Sequence, residues 1–370
     1  MNEPKVHFHR PVQLKKNQSL SVILWLCLCC LMVFSLILLG GAVRLTGSGL
    51  SMVDWRPITG VLPPLSDTEW LHAFAQYRQF PEYKEINFSM GLGEFKFIFM
   101  MEYAHRILAR LTGIVYLLPF LTFLFMGRIE SWLIPRLWGL FVLGGLQGLI
   151  GWYMVQSGLV DNPAVSQYRL TLHLMVAVII YAYMIRLVVG LFYSDRLSSQ
   201  AGFVNQFGGF AIAAVFIMIA SGGMMAGTHA GFIFNTFPTM GGVWIPDQLW
   251  AMSPVWVNLF ENAITIQFVH RGLALVVFIV VCIYAYLLYQ RNTGIDRLIC
   301  LVMIVMLANQ ITFGIAALLN GVPVALGVAH QAGAILLLTS ILIARYQVPR
   351  EPKTYSSPTR PMEFQSEANS

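Results

Sequence analysis

Glu102-Tyr103-Ala104-His105-Arg106 lies inside an apolar run that extends from about residue 95 to 126. A run of about 20 apolar residues crosses the hydrocarbon core of a bilayer. A charged group placed there costs from about 2.5 to more than 10 kcal/mol. Three ionisable side chains in five residues are therefore a functional arrangement rather than filler. On a helix Glu102 and His105 are i and i+3, so they share a face, with Arg106 on its flank. The rest of the chain reads as the scaffold of that face, followed by a second copy of it.

Composition agrees with a membrane scaffold. Of the 370 residues, 57% are hydrophobic and 11% are charged, against about 25% charged in soluble domains. Eight candidate spans follow, at about 20–41, 95–126, 132–154, 168–192, 207–228, 261–290, 297–319 and 323–345. The expected fold is an all-α polytopic membrane protein, its eight transmembrane helices forming two pseudo-symmetric four-helix bundles. The net charge of +6 sits in short loops and tails, which speaks against nucleic acid. Cys27, Cys29, Cys30, Cys282 and Cys300 fall in the spans and read as small apolar fillers. The first span follows a basic tail (Lys5, Arg10, Lys15, Lys16) and reads as uncleaved, without an Arg/Ser-rich leader. That pattern favours a bacterial inner membrane. Arg128 with Arg136, Arg186 with Arg196, and Arg291 with Arg297 flank alternate connections, whereas 155–167 and 320–322 hold no Lys or Arg. The positive-inside rule then places both termini in the cytoplasm and the long loops 42–94 and 229–260 in the periplasm.

The chain repeats itself. Gly40-Gly41 matches Gly222-Gly223, His105-Arg106 matches His270-Arg271, Gln147 with Gly151 matches Gln310 with Gly314, and His173 matches His330. The expected units are a cytoplasmic tail (1–19), an N-terminal four-helix half (20–195), a C-terminal half (196–346) and a disordered tail (347–370). Each half offers two histidines at one depth, on two helices of a bundle that can hold a cofactor between them. Haem needs two axial ligands and fits that count; a closed zinc site wants four. Arg106 and Arg271 follow the ligands and are expected to pair with haem propionates. The halves differ beside the ligands. Glu102, Arg110 and Arg44 have Gln267, Ala274 and Ala226 as counterparts. Acid and base groups suit a haem undergoing chemistry rather than an electron carrier. The N-terminal site is the expected reactive centre and the C-terminal site the expected relay. The competing reading is a bis-His transmembrane cytochrome b that only carries electrons.

The chain resembles the haem A synthase family over about residues 20–345. The stretch from Gly40-Gly41 through Arg44 and Thr46-Gly47-Ser48-Gly49 to Ser51 carries the likeness. So do Asp54-Trp55 with Pro57 and Gly60, Glu102-Tyr103-Ala104-His105-Arg106, Asn235-Thr236-Phe237-Pro238-Thr239-Met240 and His270-Arg271-Gly272. The first outer loop has no cysteine, as in the cysteine-free branch of the family. The resemblance implies oxidation of the C8 methyl of haem O to a formyl group, giving haem A for haem-copper oxidases. It implies that His270 and His330 bind the iron of a haem b cofactor. It implies that His105 and His173 flank the substrate iron, with Glu102 essential beside them. It suggests assembly with the upstream haem O synthase; the electron partner is left unidentified, and the Gly-rich helix faces suit either internal packing or self-association.

Overall fold

The apolar runs become long helices in the computed structural model, which describes residues 20–53, 62–159, 165–192, 202–291 and 294–347. Both tails, and the Asp54-Trp55, Pro57 and Gly60 positions, lie outside the described residues. The elements in order are α1 (Leu20–Leu45), α2 (Asp67–Tyr77), α3 (Leu92–Phe125), α4 (Ile134–Gly158), α5 (Gln167–Phe192) and α6 (Phe203–Gly227), then α7 (Asn258–Glu261), α8 (Ala263–Tyr289), α9 (Gly294–Leu319) and α10 (Val324–Gln347). Among the described residues, eight of these helices are long and apolar enough to cross a membrane, and none forms a strand. This is an all-α, multi-pass membrane protein.

α1 packs on α3, α5 and α10, and α6 packs on α5, α8 and α10. α1, α5, α6 and α10 therefore make the middle of the bundle, with α4 and α9 outside them. The core follows from that order. Leu26, Phe120, Leu137 and Leu187 are buried in the first four spans, and Val281, Tyr284, Leu288 and Met303 in the last four. Some polar groups inside this core pair across it. Trp25 Nε1 donates to the Val115 carbonyl at 2.8 Å, and Tyr181 meets Thr339 across the α5–α10 seam at 2.9 Å. All five cysteines are free thiols.

α1 and α6 end, and α3, α5, α8 and α10 begin, at the end of the bundle that carries the two long connections. α3 is the over-long span expected from the sequence. Its 34 residues extend about 51 Å, and its first turns leave the bundle to meet α2. There Tyr77, Phe95 and Phe99 are buried together, with Trp70 5.1 Å from Phe99 and Tyr77 5.2 Å from Phe95 between ring centres. Ser66 and Glu69 close a capping box that starts α2. Glu82 is buried in the same cluster and accepts from the Tyr77 hydroxyl at 2.9 Å. Burial pushes its carboxyl up to about 7 against the Tyr77 hydrogen bond, and the Glu102 charge adds to the rise.

Candidate functional site

The site begins where α1 runs out. The chain turns through Thr46–Met52, and Ser48 and Ser51 are buried under it. Glu102, one of α3's buried residues at 3% exposed, faces this turn. Its Oε2 accepts from the Ser51 hydroxyl at 2.7 Å and from the Met52 amide at 2.8 Å. Its Oε1 takes the Arg106 guanidinium, an i,i+4 ion pair whose side chains are 10% and 5% exposed. Arg106 also donates to the Met52 carbonyl at 3.0 Å. Both faces of one loop residue are thus gripped by two side chains of one helix. The charge cost of burying Glu102 is offset by its partner and by two donors.

The second long connection is gripped in the same register, with an amide in place of the carboxylate. Gln267 is fully buried, and its Nε2 donates to the Phe234 carbonyl at 3.0 Å. Arg271 donates to Phe234 and Thr239 carbonyls at 3.1 and 3.3 Å. Phe234 stands to Met52 as Ala226 stands to Arg44 in the repeat. The Glu-for-Gln difference read from the sequence is therefore an ion pair on one side and an amide on the other.

The histidines come in pairs. The His270 and His330 rings face each other with centres 6.5 Å apart and planes at 69°. His105 and His173 lie within electrostatic reach of each other. Behind each α5 and α10 histidine is a glycine that leaves the ring its space. A Cβ at Gly314 would sit 2.7 Å from His330 Cε1, and one at Gly151 would sit 2.8 Å from His173 Cε1. Gln310 and Gln147 approach the same two rings at 3.4 Å, and the Oε1 of each is buried with no hydrogen-bond partner. Among the described residues no group of three or more His, Cys, Asp or Glu side chains gathers as it would around a lone ion. The donors are arranged two by two.

The family model described as cytochrome oxidase assembly protein matches residues 23–342. The chain belongs to that family. Among relatives of the cytochrome oxidase assembly family, the heme A synthase of Nitrosospira multiformis is 46% identical over 336 residues, 89% of this chain and 94% of the relative. Those of Nitrosomonas eutropha and Rhodospirillum centenum are 44% and 43% identical, covering 88% and 90% of this chain and 93% and 90% of their own. Haem is therefore the group against which the donors of this family member are to be tested. Two imidazoles bonded to one metal at about 2 Å, each ring centre about 1 Å behind its nitrogen, stand about 6 Å apart. The 6.5 Å spacing of the His270 and His330 ring centres is close to that separation.

The seven residues expected at the site fall into two groups. His105, His173, Glu102 and Arg106 gather around α3 and α5, and His270, His330 and Arg271 around α8 and α10. Arg44, expected among the ionisable neighbours of the first site, goes elsewhere. Its guanidinium donates to the Ala226 carbonyl at 2.9 and 3.1 Å and to the Gly227 carbonyl at 3.1 Å, and it meets His229 Nε2 at 2.9 Å. It satisfies the carbonyl end of α6, where a cation is favoured. Two partners escaped the sequence reading. Ser51 is one, because its contact with Glu102 spans 51 positions. Ser221 is the other; its hydroxyl lies 2.8 Å from His270 Nδ1. The only trace of Ser221 in the sequence is its place next to Gly222, where the repeat has Leu39 next to Gly40.

Proposed function

We propose that this protein is a haem A synthase. It takes haem O and oxidises the ring methyl at C8 to a formyl group, and the haem A serves haem-copper oxidases. The observation that carries the reading is the pairing of histidines into two sites of which one alone has a buried carboxylate–guanidinium pair beside it. The heme A synthases of Nitrosospira multiformis and Nitrosomonas eutropha match most of the chain, which supports the reading.

Methyl to formyl removes four electrons and brings in one oxygen atom. Two hydroxylations accomplish it, giving an alcohol and then a gem-diol that loses water. Residues 20–195 would form the substrate half, with His105 and His173 flanking the substrate iron. Glu102 would accept the proton released at the methyl-derived carbon or place a water molecule there. Ser51, Met52 and Arg106 hold it at one position for that task. Residues 196–346 would form the cofactor half, with His270 and His330 as ligands to a haem b. Haem b bound there would supply reversible one-electron transfer. Arg271 and Arg106, directly after the ligands, would meet haem propionates, and the partnerless Nε of Arg271 supports this for the second half. Contact between Arg44 and Ala226, equivalent positions of the repeat, supports an axis passing between two related halves. Charge placement supports a bacterial inner-membrane location, both termini cytoplasmic and both sites towards the periplasm. An electron partner must complete each turnover; haem O synthase would deliver the substrate, and self-association is compatible with the Gly-rich spans.

Expression in a bacterial host that makes haem O but no haem A tests the reading. Haem A should appear in extracted membranes; a host that still accumulates only haem O would refute it. The glycine cradles give a second expected result. Gly314→Ala should empty the haem b site, because its methyl takes space held by His330, and should leave substrate haem in place. Gly151→Ala should do the reverse through His173. Extracted haem B and haem O from the two purified variants measure this.

A further inference from the structure

We infer that Ser221 is a positioning residue that holds His270 ready for its haem, and that the first four spans lack its equivalent. The inference rests on the proposal that His270 and His330 ligate haem b. A histidine that binds a metal through one ring nitrogen needs its other nitrogen to carry and donate a proton. Which tautomer is present follows from what the ring touches.

At His270 the partner is a hydroxyl. The Ser221 hydroxyl oxygen lies 2.8 Å from His270 Nδ1 and 2.8 Å from the Met218 carbonyl. With its proton given to the Met218 carbonyl, which can only accept, the oxygen can accept from His270 Nδ1–H and leave Nε2 its lone pair for a metal. At His330 the partner is the Gln310 carbonyl, 3.0 Å from Nδ1. A carbonyl can only accept, so His330 also carries its proton on Nδ1. Both rings of this pair thus have an acceptor within hydrogen-bond distance of Nδ1.

The other pair is built differently. The repeat puts Leu39 where Ser221 stands, and a leucine offers no acceptor. His105 bonds instead to the Leu36 backbone. His173 Nδ1 is buried and has no hydrogen-bond partner, although His330, its equivalent, has one. His173 therefore lacks at Nδ1 the bond that orients its equivalent. A pair with both rings held at Nδ1 suits a cofactor that stays, and a pair in which His173 lacks that partner suits a haem that arrives as substrate and leaves as product.

The test uses the purified full-length protein carrying haem, as wild type, S221A, S221T and H270A. Two quantities are read: the rate at which haem B is lost to excess apomyoglobin, and the low-spin EPR signal of the oxidised haem, which reports imidazole orientation. Loss of an anchoring partner weakens metal binding about 10- to 100-fold. S221A should lose haem B at least tenfold faster with an altered EPR signal, and S221T, which keeps the acceptor, should match wild type. If S221A does not accumulate, S221C is read in the same way, since sulfur accepts only weakly. Wild-type retention and an unchanged signal in S221A or S221C, with haem B absent from H270A, would overturn the inference and leave the ligand assignment standing. Haem B retained by H270A would overturn the ligand assignment itself.

Discussion

Glu102→Gln should abolish haem A formation while the protein keeps its haem B. The amide has the shape of the carboxylate, and its oxygen still accepts from the Met52 amide and Ser51 hydroxyl. Its nitrogen then faces Arg106, donor against donor, where the ion pair was. The side chain can no longer take a proton. General acid–base groups contribute about 100- to 10,000-fold to rate, so haem A output should fall at least about 100-fold. His270 and His330 are held by other elements and should be unaffected. Haem A and haem B extracted from membranes of the variant measure both parts. Undiminished haem A would remove Glu102 from the chemistry.

Arg106→Ala should destabilise the protein far more than Arg271→Ala. The two arginines follow matched histidines and grip matched loop residues, so the comparison isolates the charge. Without Arg106, the Glu102 carboxylate is buried at 3% exposure beside neutral donors alone. Breaking a buried pair from one side costs about 3–5 kcal/mol. Without Arg271, the Phe234 and Thr239 carbonyls lose donors, but Gln267 still donates to Phe234 and no charge is stranded. That loss costs about 1–3 kcal/mol. Thermal unfolding in one detergent compares the two variants directly. Equal losses would mean that the ion pair beside the first site differs from its amide counterpart in name only.

These contrasts rest on a fold that was largely open to reading. The spans are uniform apolar runs, and burial in lipid leaves a helix as their only way to satisfy the backbone. The histidine pairs were visible because duplication printed each of them twice at similar spacing. α2 was not visible, although Ser66 and Glu69 carry a capping box and Trp70, Phe74 and Tyr77 recur at helical spacing. A Gly- and Pro-rich connection masked eleven residues of order. Arg106, four residues on, could be read beside Glu102, but its loop partners could not. The pattern gives the face of a helix, but the partner lies in a turn some fifty positions earlier. Arg44 shows the same limit. It was counted with the first site for its sequence neighbours, and it spends its donors on the end of α6. Ser221 was hidden for another reason: a lone serine in an apolar span usually bonds its own helix, and here it does that and holds a histidine as well.

The most direct test of two histidine pairs, each clasping its own porphyrin, is the mass of the haems extracted from purified wild type, His105→Ala and His270→Ala. Wild type should yield haem B together with haem O or haem A. His105→Ala should lose haem O and haem A and keep haem B, and His270→Ala should lose haem B. Wild type that yields haem B alone, or two variants that lose the same haem, would contradict the account.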